Sequence, residues 1–215
     1  MRILLIFILS LNLCSCKDKK ATSISNEERT VEVVNGEKEA DLDIFVGGHF
    51  FKNKEANRLN SKGIEYIKKH KFKKAEEYFI AAYRIEPDNP VVLCNLGNIY
   101  RNIGTERMAL EYYNEALIAS DSAYFNAAYN MGISYCNINE YEKSEKILNY
   151  ILSNTNVENE LIFAKYVLIR VYVNQGECLK ANELYTEIKP NLDKFPEFKS
   201  NREKVEIKLE DCVPR

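Results

Sequence analysis

The chain has 215 residues, with 30 basic and 32 acidic side chains that give a formal charge of −2. Because binding to a nucleic-acid backbone needs a basic surface, this balance argues against a nucleic-acid partner. A hydrophobic fraction of 46% is enough to form a buried core and excludes a wholly disordered chain. With only 8 glycines and 5 prolines, the composition favours an all-α protein over a turn-rich β protein.

The first fifteen residues have the pattern of a signal peptide. Arg2 gives a positive start, and the apolar run over residues 3–13 is too short to span a bilayer as a helix. The four residues that end at Cys16 read Leu-Cys-Ser-Cys, which resembles the lipobox of bacterial lipoproteins. The resemblance implies cleavage before Cys16 and acylation of its thiol, which would anchor the chain in a membrane. An ordinary secretory signal peptide with incidental cysteines is the alternative.

The segment after the signal peptide is polar and charged. Residues 16–52 contain several serines, asparagines and glycines that interrupt any regular pattern, and Gly47-Gly48 marks a joint near their end. We therefore expect this segment to tether the lipid anchor to a folded domain.

The remainder of the chain repeats a pattern of residues. Tyr66, Tyr100, Tyr135 and Tyr172 recur at intervals of 34, 35 and 37 residues. A small residue follows each tyrosine after nine positions, and a large apolar residue follows four positions later. Glycine precedes the first three tyrosines by three positions, whereas Ile169 takes that place before Tyr172. These features resemble the tetratricopeptide repeat, a unit of about 34 residues that forms a helix A, a turn and a helix B.

The resemblance implies a right-handed α-solenoid of about four repeats, which begin at Ala56, Pro90, Phe125 and Ile162. Small residues on both helices of a unit let the helices approach closely, while aromatic residues fill the gaps between them. One pair of helices cannot bury its apolar face alone, so several units must stack. A helical bundle without repeats is the alternative.

A last amphipathic helix is predicted from Pro196 to about Asp211. Its apolar face carries Val205 and Leu209, and the opposite face is charged. Because a solenoid needs a polar-backed helix at its open end, we expect this helix to cap the array. The expected organisation is a signal peptide at 1–15, a tether at 16–52, a repeat domain at 53–194 and a capping helix at 195–215.

The register implied by the resemblance also pairs two cysteines. Cys178 begins helix B of the fourth unit, and Cys212 ends the capping helix beside it. We therefore predict a Cys178–Cys212 disulfide, which an export compartment would preserve; two small buried side chains are the alternative. Cys94 and Cys136 lie seven repeat positions apart on neighbouring helices, too far for a disulfide, so we expect two free thiols. Neither belongs to a CxxC or CxxH motif, and no metal site is expected.

The resemblance further implies a concave groove lined by the A helices. Amide side chains both donate and accept hydrogen bonds, so a stacked Asn95 and Asn130 are expected to bracket the backbone of an extended peptide. Tyr129, Tyr166 and Phe163 are expected to anchor the partner. Asparagine is common at these positions of the family, and a purely structural role is the alternative. The expected groove residues are Asn95, Asn98, Arg101, Asn102, Asn126, Tyr129, Asn130, Ile133, Tyr166 and Arg170.

The sequence contains no nucleotide-binding, zinc-protease or serine-hydrolase motif. We therefore expect no enzymatic activity, no cofactor and no small-molecule substrate. The expected role is that of an adaptor that binds a protein or peptide in the cell envelope, lipid-anchored at the outer membrane or on the periplasmic face. A structural subunit of an envelope machine, of the β-barrel assembly or pilus-secretin type, is the alternative.

A basic run surrounds the first A–B turn. Residues 68–74 contain five lysines and His70. Most such runs are solvated turns, and contact with anionic lipid headgroups is the alternative.

Overall fold

The computed structural model describes residues 51–192 and 199–212. Within these ranges the chain forms helices and no strand, and none of the helices is long and apolar enough to cross a membrane. The predicted all-α class and the α-solenoid are therefore confirmed. The signal peptide, Cys16 and most of the expected tether lie outside the described residues. The helices are α1 (Lys54–Lys68), α2 (Phe72–Ile85), α3 (Pro90–Asn102), α4 (Glu106–Ala119), α5 (Phe125–Asn137), α6 (Tyr141–Asn154), α7 (Glu158–Gln175), α8 (Cys178–Leu192) and α9 (Lys199–Glu210).

The first eight helices form four pairs that stack in chain order. The most extensive contacts lie within the pairs α1–α2, α3–α4, α5–α6 and α7–α8. The second helix of each pair also packs against the first helix of the next pair, and the A helices α3, α5 and α7 contact one another in sequence. Each unit thus touches mainly its neighbours, as expected of a solenoid. The helix α9 packs against α7 and α8, where a fifth A helix would lie.

Local sequence signals fix several of the helix ends. The side-chain oxygen of Asn53 accepts hydrogen bonds from two backbone N–H groups in the first turn of α1, at 2.8 and 3.3 Å. Asn89 caps α3 in the same way at 3.0 and 3.2 Å, and Pro90 occupies the first helical position, where no backbone donor is needed. Gly176 ends α7 in the left-handed conformation with φ of 76°.

Glycine on helix A permits the close approach of helix B within a pair. A β-carbon added at Gly97 would lie 2.7 Å from Cδ1 of Tyr113, a fully buried side chain. A β-carbon at Gly132 would lie 2.7 Å from Cδ2 of Leu148. In that third pair the hydroxyl of Ser144 donates a 2.6 Å hydrogen bond to the carbonyl oxygen of Gly132, so the two backbones meet through a small polar residue. The small positions of the sequence pattern therefore mark the contacts between helices A and B.

The fourth pair departs from the other three. Ile169 is fully buried where the earlier repeats have glycine. The corresponding helix-B aromatic residue, Tyr185, directs its hydroxyl to the capping helix and donates a hydrogen bond to Glu206. Pro190 is accommodated in the last turn of α8, and Leu192 after it is buried. The fourth pair is thus adapted to contact α9.

A disulfide between Cys178 and Cys212 links the capping helix to the start of α8. Their Cα atoms lie 5.7 Å apart, and the pair is the one expected from the sequence. Val205 and Leu209 bury the apolar face of α9. Cys94 and Cys136 are both free thiols and both buried.

The described chain begins in contact with the first repeat. Phe51 packs against the apolar core, and the backbone N–H groups of Lys52 and Asn53 donate hydrogen bonds to the carboxylate of Glu86. The amide of Asn89 donates a third, at 2.9 Å. Phe51 and Lys52, which the sequence pattern placed in the tether, therefore contact the repeat domain.

Candidate functional site

Asparagine side chains connect neighbouring A helices. Nδ2 of Asn95 on α3 donates to Oδ1 of Asn60 on α1 at 2.8 Å. Nδ2 of Asn130 on α5 points to the sulfur of Cys94 on α3 at 3.5 Å. In both cases an asparagine at position 6 of one repeat meets position 5 of the repeat before it. These contacts tie each repeat to its predecessor, which is a structural role for part of the asparagine-rich surface.

The structure buries six of the ten residues that were expected to line an open groove. Asn95 and Asn130 are only 4% and 2% exposed. Bracketing of an extended peptide by these two amides would require both to leave their contacts on the neighbouring helix. The expectation of a stacked pair open to solvent is therefore corrected: both amides face the adjacent A helix. The buried residues are Asn95, Asn98, Arg101, Asn130, Ile133 and Tyr166.

The other four expected residues are half-buried, which leaves part of each side chain at the surface: Asn102, Asn126, Tyr129 and Arg170. The rings of Tyr129 on α5 and Phe163 on α7 are tilted against each other, with centroids 5.5 Å apart. Together with Asn126 these rings form a partly exposed surface across two neighbouring A helices. We call the surface made by Asn126, Tyr129 and Phe163 the aromatic ledge.

A chain of polar contacts crosses the ends of three helices. Nη2 of Arg170 on α7 donates to Oδ1 of Asn137 on α5 at 3.3 Å. Nδ2 of Asn137 in turn donates to Oε1 of Glu106 on α4 at 2.9 Å. Asn137 is exposed, and its amide links the guanidinium of Arg170 to the carboxylate of Glu106 at the opposite end of α5 from Asn126.

Buried groups near the A helices are held in their neutral forms. Burial raises the pKa of the Cys136 thiol, and the charges of Arg170 and Lys208 offset only part of this effect. Burial likewise raises the pKa of Tyr113, whose hydroxyl donates to Oδ1 of Asn98 at 2.7 Å. A neutral, buried thiol is a poor nucleophile. In the ranges 51–192 and 199–212, no cluster of three or more histidine, cysteine, aspartate or glutamate side chains could hold a metal ion.

The ten expected groove residues did not include Asn60 and Asn137, which lie on the same face of the A helices, and sequence reasoning missed Glu106 and Glu86 altogether. Asn60 had a usable signal, because it occupies position 5 of the first repeat and Asn95 occupies position 6 of the second, which are adjacent positions in the repeat. The contact of Glu106 with Asn137 depends on how the start of helix B meets the end of the next helix A, which no simple spacing reveals.

A model of the tetratricopeptide repeat family matches residues 56–89 and 91–117, which are the first two repeats. The chain contains tetratricopeptide repeats. The tetratricopeptide array extends beyond the matched residues, since the pairs α5–α6 and α7–α8 stack on it in the same order. No curated protein sequence matches the chain.

Solved structures share the fold. The structure of PilW, a "widely conserved type IV pilus biogenesis factor", is 18% identical with a TM-score of 0.61, and the match covers 67% of this chain and 66% of PilW. Pseudomonas aeruginosa PilF is 16% identical with a TM-score of 0.53, over 69% of this chain and 66% of PilF. The first TPR of Spaghetti (RPAP3), bound to an HSP90 peptide, is 22% identical with a TM-score of 0.50, over 58% of this chain and 95% of that domain. This chain thus spans just under two thirds of PilW and PilF, and the likeness is one of fold.

Proposed function

We propose that the chain is a membrane-anchored lipoprotein of the bacterial envelope whose tetratricopeptide array binds a protein partner. The observation that carries the proposal is the aromatic ledge, which spans two A helices and remains partly exposed. Stacked repeats present extended surfaces of this kind to partners. In this proposal acylation of Cys16 fixes the location, and the array captures a peptide or a partner helix.

The aromatic ledge has the chemistry of an anchor site. Aromatic rings contribute large apolar contact areas at interfaces, and polar groups at the edge provide direction. Here Tyr129 and Phe163 provide the rings, while the amide of Asn126, on the same helix as Tyr129, provides a hydrogen-bond donor and acceptor. A single small surface of this type is expected to bind at micromolar strength, about −8 kcal/mol.

Site-specific photo-crosslinking in intact cells tests this proposal. A photoreactive residue at Asn126 is expected to give a discrete adduct with an envelope protein, identified by mass spectrometry. The matched control is Asn149, an exposed asparagine on α6 that lies away from the A helices. An adduct from Asn149 alone, or from neither position, would overturn the proposed binding surface. Release of a Cys16→Ser variant from the membrane fraction tests the anchor separately.

The alternative role is that of an accessory subunit in a larger envelope machine. The fold similarity to PilW and PilF, one of which is described as a pilus biogenesis factor, favours this candidate. Such a subunit would co-purify with its complex in fixed stoichiometry, and the contact would survive a Tyr129→Ala substitution. Loss of the partner in Tyr129→Ala would favour the adaptor instead.

A further inference from the structure

The turn between α1 and α2 concentrates positive charge at the surface. The five lysines of residues 68–74 are all exposed, and in the described part of the chain none of them forms an ion pair with a carboxylate. His70 adopts a left-handed conformation with φ of 54° in this turn, and Lys69 and Lys74 from its two sides lie over the same ring, that of Tyr66, at 5.8 and 5.7 Å. We call this surface the lysine turn: Lys68, Lys69, Lys71, Lys73 and Lys74.

The equivalent turns of the third and fourth repeats hold a lysine in the same place and pair it with a glutamate, whereas the second repeat has Met108 there. In the third repeat Lys143 lies over the ring of Tyr135 at 5.6 Å and pairs with Glu140 at 2.5 Å. In the fourth repeat Lys180 lies over the ring of Tyr172 at 5.3 Å and pairs with Glu177.

The first repeat keeps the lysine and replaces its partner. Lys74 lies over the ring of Tyr66 at 5.7 Å, as its counterparts do over their tyrosines. The position three residues before it, which holds a glutamate in the third and fourth repeats, is Lys71. An attractive pair has therefore become a repulsive one at the same site of the same fold.

This arrangement also opposes the dipole of α2. No acidic residue lies in the first turn of α2, whereas α4 and α6 carry Glu106 and Glu142 there. Instead, Lys71 occupies the N-cap position of α2 without a side-chain capping hydrogen bond, and two more lysines follow within the first turn, although the N-terminus of a helix favours negative charge. Since the lysine turn works against the stability of its own helix, its charge points to something outside the fold.

We propose that the lysine turn docks on the anionic headgroups of a phospholipid surface. The side chains project from a turn and do not line a cleft, which suits a broad negative surface. Between residues 61 and 78, a stretch that the structure describes throughout, no large apolar side chain is exposed to form the core of a protein interface. The inference deepens the proposed function, on which it rests for the membrane anchor, by orienting the first repeat toward the bilayer.

Lysine labelling of the full chain in vesicles tests this inference. The protein is reconstituted into vesicles of phosphatidylcholine alone or with added phosphatidylglycerol, and lysine acetylation is measured by mass spectrometry. Acetylation of the lysine turn is expected to fall at least about threefold in the anionic vesicles, since each basic residue near such a surface is attracted to it. Lys143 and Lys180 are controls within the same molecule and are expected to keep their labelling. Equal labelling of the lysine turn in both vesicles would overturn the proposal.

The variant Lys71→Glu separates binding from folding. It restores the pair seen in the third and fourth repeats, so the unfolding midpoint is expected to rise. The protection of the remaining lysines by anionic vesicles is expected to be largely lost, since one positive charge is replaced by a negative one. Lys146→Glu, at an exposed position of α6, is the control and is expected to leave the protection unchanged. Protection that persists in Lys71→Glu, or that appears only with envelope proteins and not with phosphatidylglycerol, would overturn the lipid assignment. The crosslink at Asn126 tests the binding of a protein partner independently of lipid. Lipid docking can therefore fail while partner binding holds, and the reverse.

Discussion

The amide nitrogen of Asn95 lies 2.8 Å from the amide oxygen of Asn60, and the hydrogen bond between them joins the A helices of the first two repeats. Both residues are buried, with Asn60 only 2% exposed. Removal of one partner would therefore leave the other without its hydrogen bond in a place that water does not reach.

Asn95→Ala is expected to lower the free energy of unfolding by about 1–2 kcal/mol, because the oxygen of Asn60 would lose its donor. Urea denaturation monitored by circular dichroism measures the change. The double variant Asn60→Ala/Asn95→Ala closes a mutant cycle, whose coupling energy isolates the pair. Asn102→Ala is the control, since that half-buried amide donates to the backbone carbonyl oxygen of Asn98 one turn earlier and does not join two repeats through this bond. If Asn95→Ala were as stable as the parent, the hydrogen bond between Asn95 and Asn60 would not help to hold the first two repeats together.

Gly97→Ala is expected to destabilise the fold by about 1–3 kcal/mol, because the new methyl group would overlap the ring of Tyr113. The ring is fully buried and cannot move into solvent. Asn114→Ala, at an exposed position of α4, provides a control for alanine substitution in a helix. If thermal unfolding showed Gly97→Ala to be neutral, the close approach of α3 and α4 would not depend on glycine.

Reduction of the Cys178–Cys212 disulfide is expected to lower stability by about 3–4 kcal/mol in the chain-entropy model, since it opens a link across 34 positions. Denaturant unfolding with and without dithiothreitol measures the difference. The variant Cys178→Ser/Cys212→Ser should be insensitive to the reductant, because the remaining described cysteines are free thiols. If dithiothreitol changed the unfolding midpoint of that variant, the reductant would act on something other than the Cys178–Cys212 disulfide.

Docking of the capping helix is expected to weaken in acid. The hydrogen bond from Tyr185 holds the pKa of Glu206 below its ordinary value, with Arg202 and Lys189 adding to the effect. Burial raises the pKa of Tyr185 to about 12, so its hydroxyl stays protonated as the donor. Because the folded state favours the carboxylate, this contribution is fully present above the usual glutamate pKa of about 4.3 and is lost as pH falls through the lowered value.

Hydrogen exchange of α9 as a function of pH measures this loss. In the parent protein, the hydrogen-exchange protection of α9 should be lost below about pH 4. In Glu206→Gln, this protection should already be lower at neutral pH and should change less as the pH falls. Glu203→Gln, at an exposed position of the same helix, serves as the control. Identical acid profiles for Glu206→Gln and the parent would contradict the role of this carboxylate.

The repeat architecture could be predicted from the sequence because it depends on periodic positions. The spacing of Tyr66, Tyr100, Tyr135 and Tyr172 places the A helices, and the same register brings Cys178 beside Cys212. Both features require only that each unit repeats the geometry of the one before.

The candidate site was harder to predict because register gives the direction of a side chain but not its depth. Asn95 and Asn130 do point along the A-helix face, yet their amides reach the helix of the preceding repeat. Whether an amide contacts a neighbouring helix or solvent depends on the separation of the helices, which is set by packing on the opposite side. The contact of Phe51 with the core was invisible for a different reason, since the polar segment around it shows no periodicity.

The two ends of the array differ from its interior, and this limits how its length can change. At the beginning, Glu86 holds the backbone at Lys52 and Asn53. At the end, Tyr185 and the disulfide are fitted to α9 and not to another repeat. A duplicated unit inserted between the second and third repeats would find standard neighbours on both sides, whereas one appended after the fourth would expose the surface that α9 covers. Growth of this array by gene duplication is therefore confined to its middle.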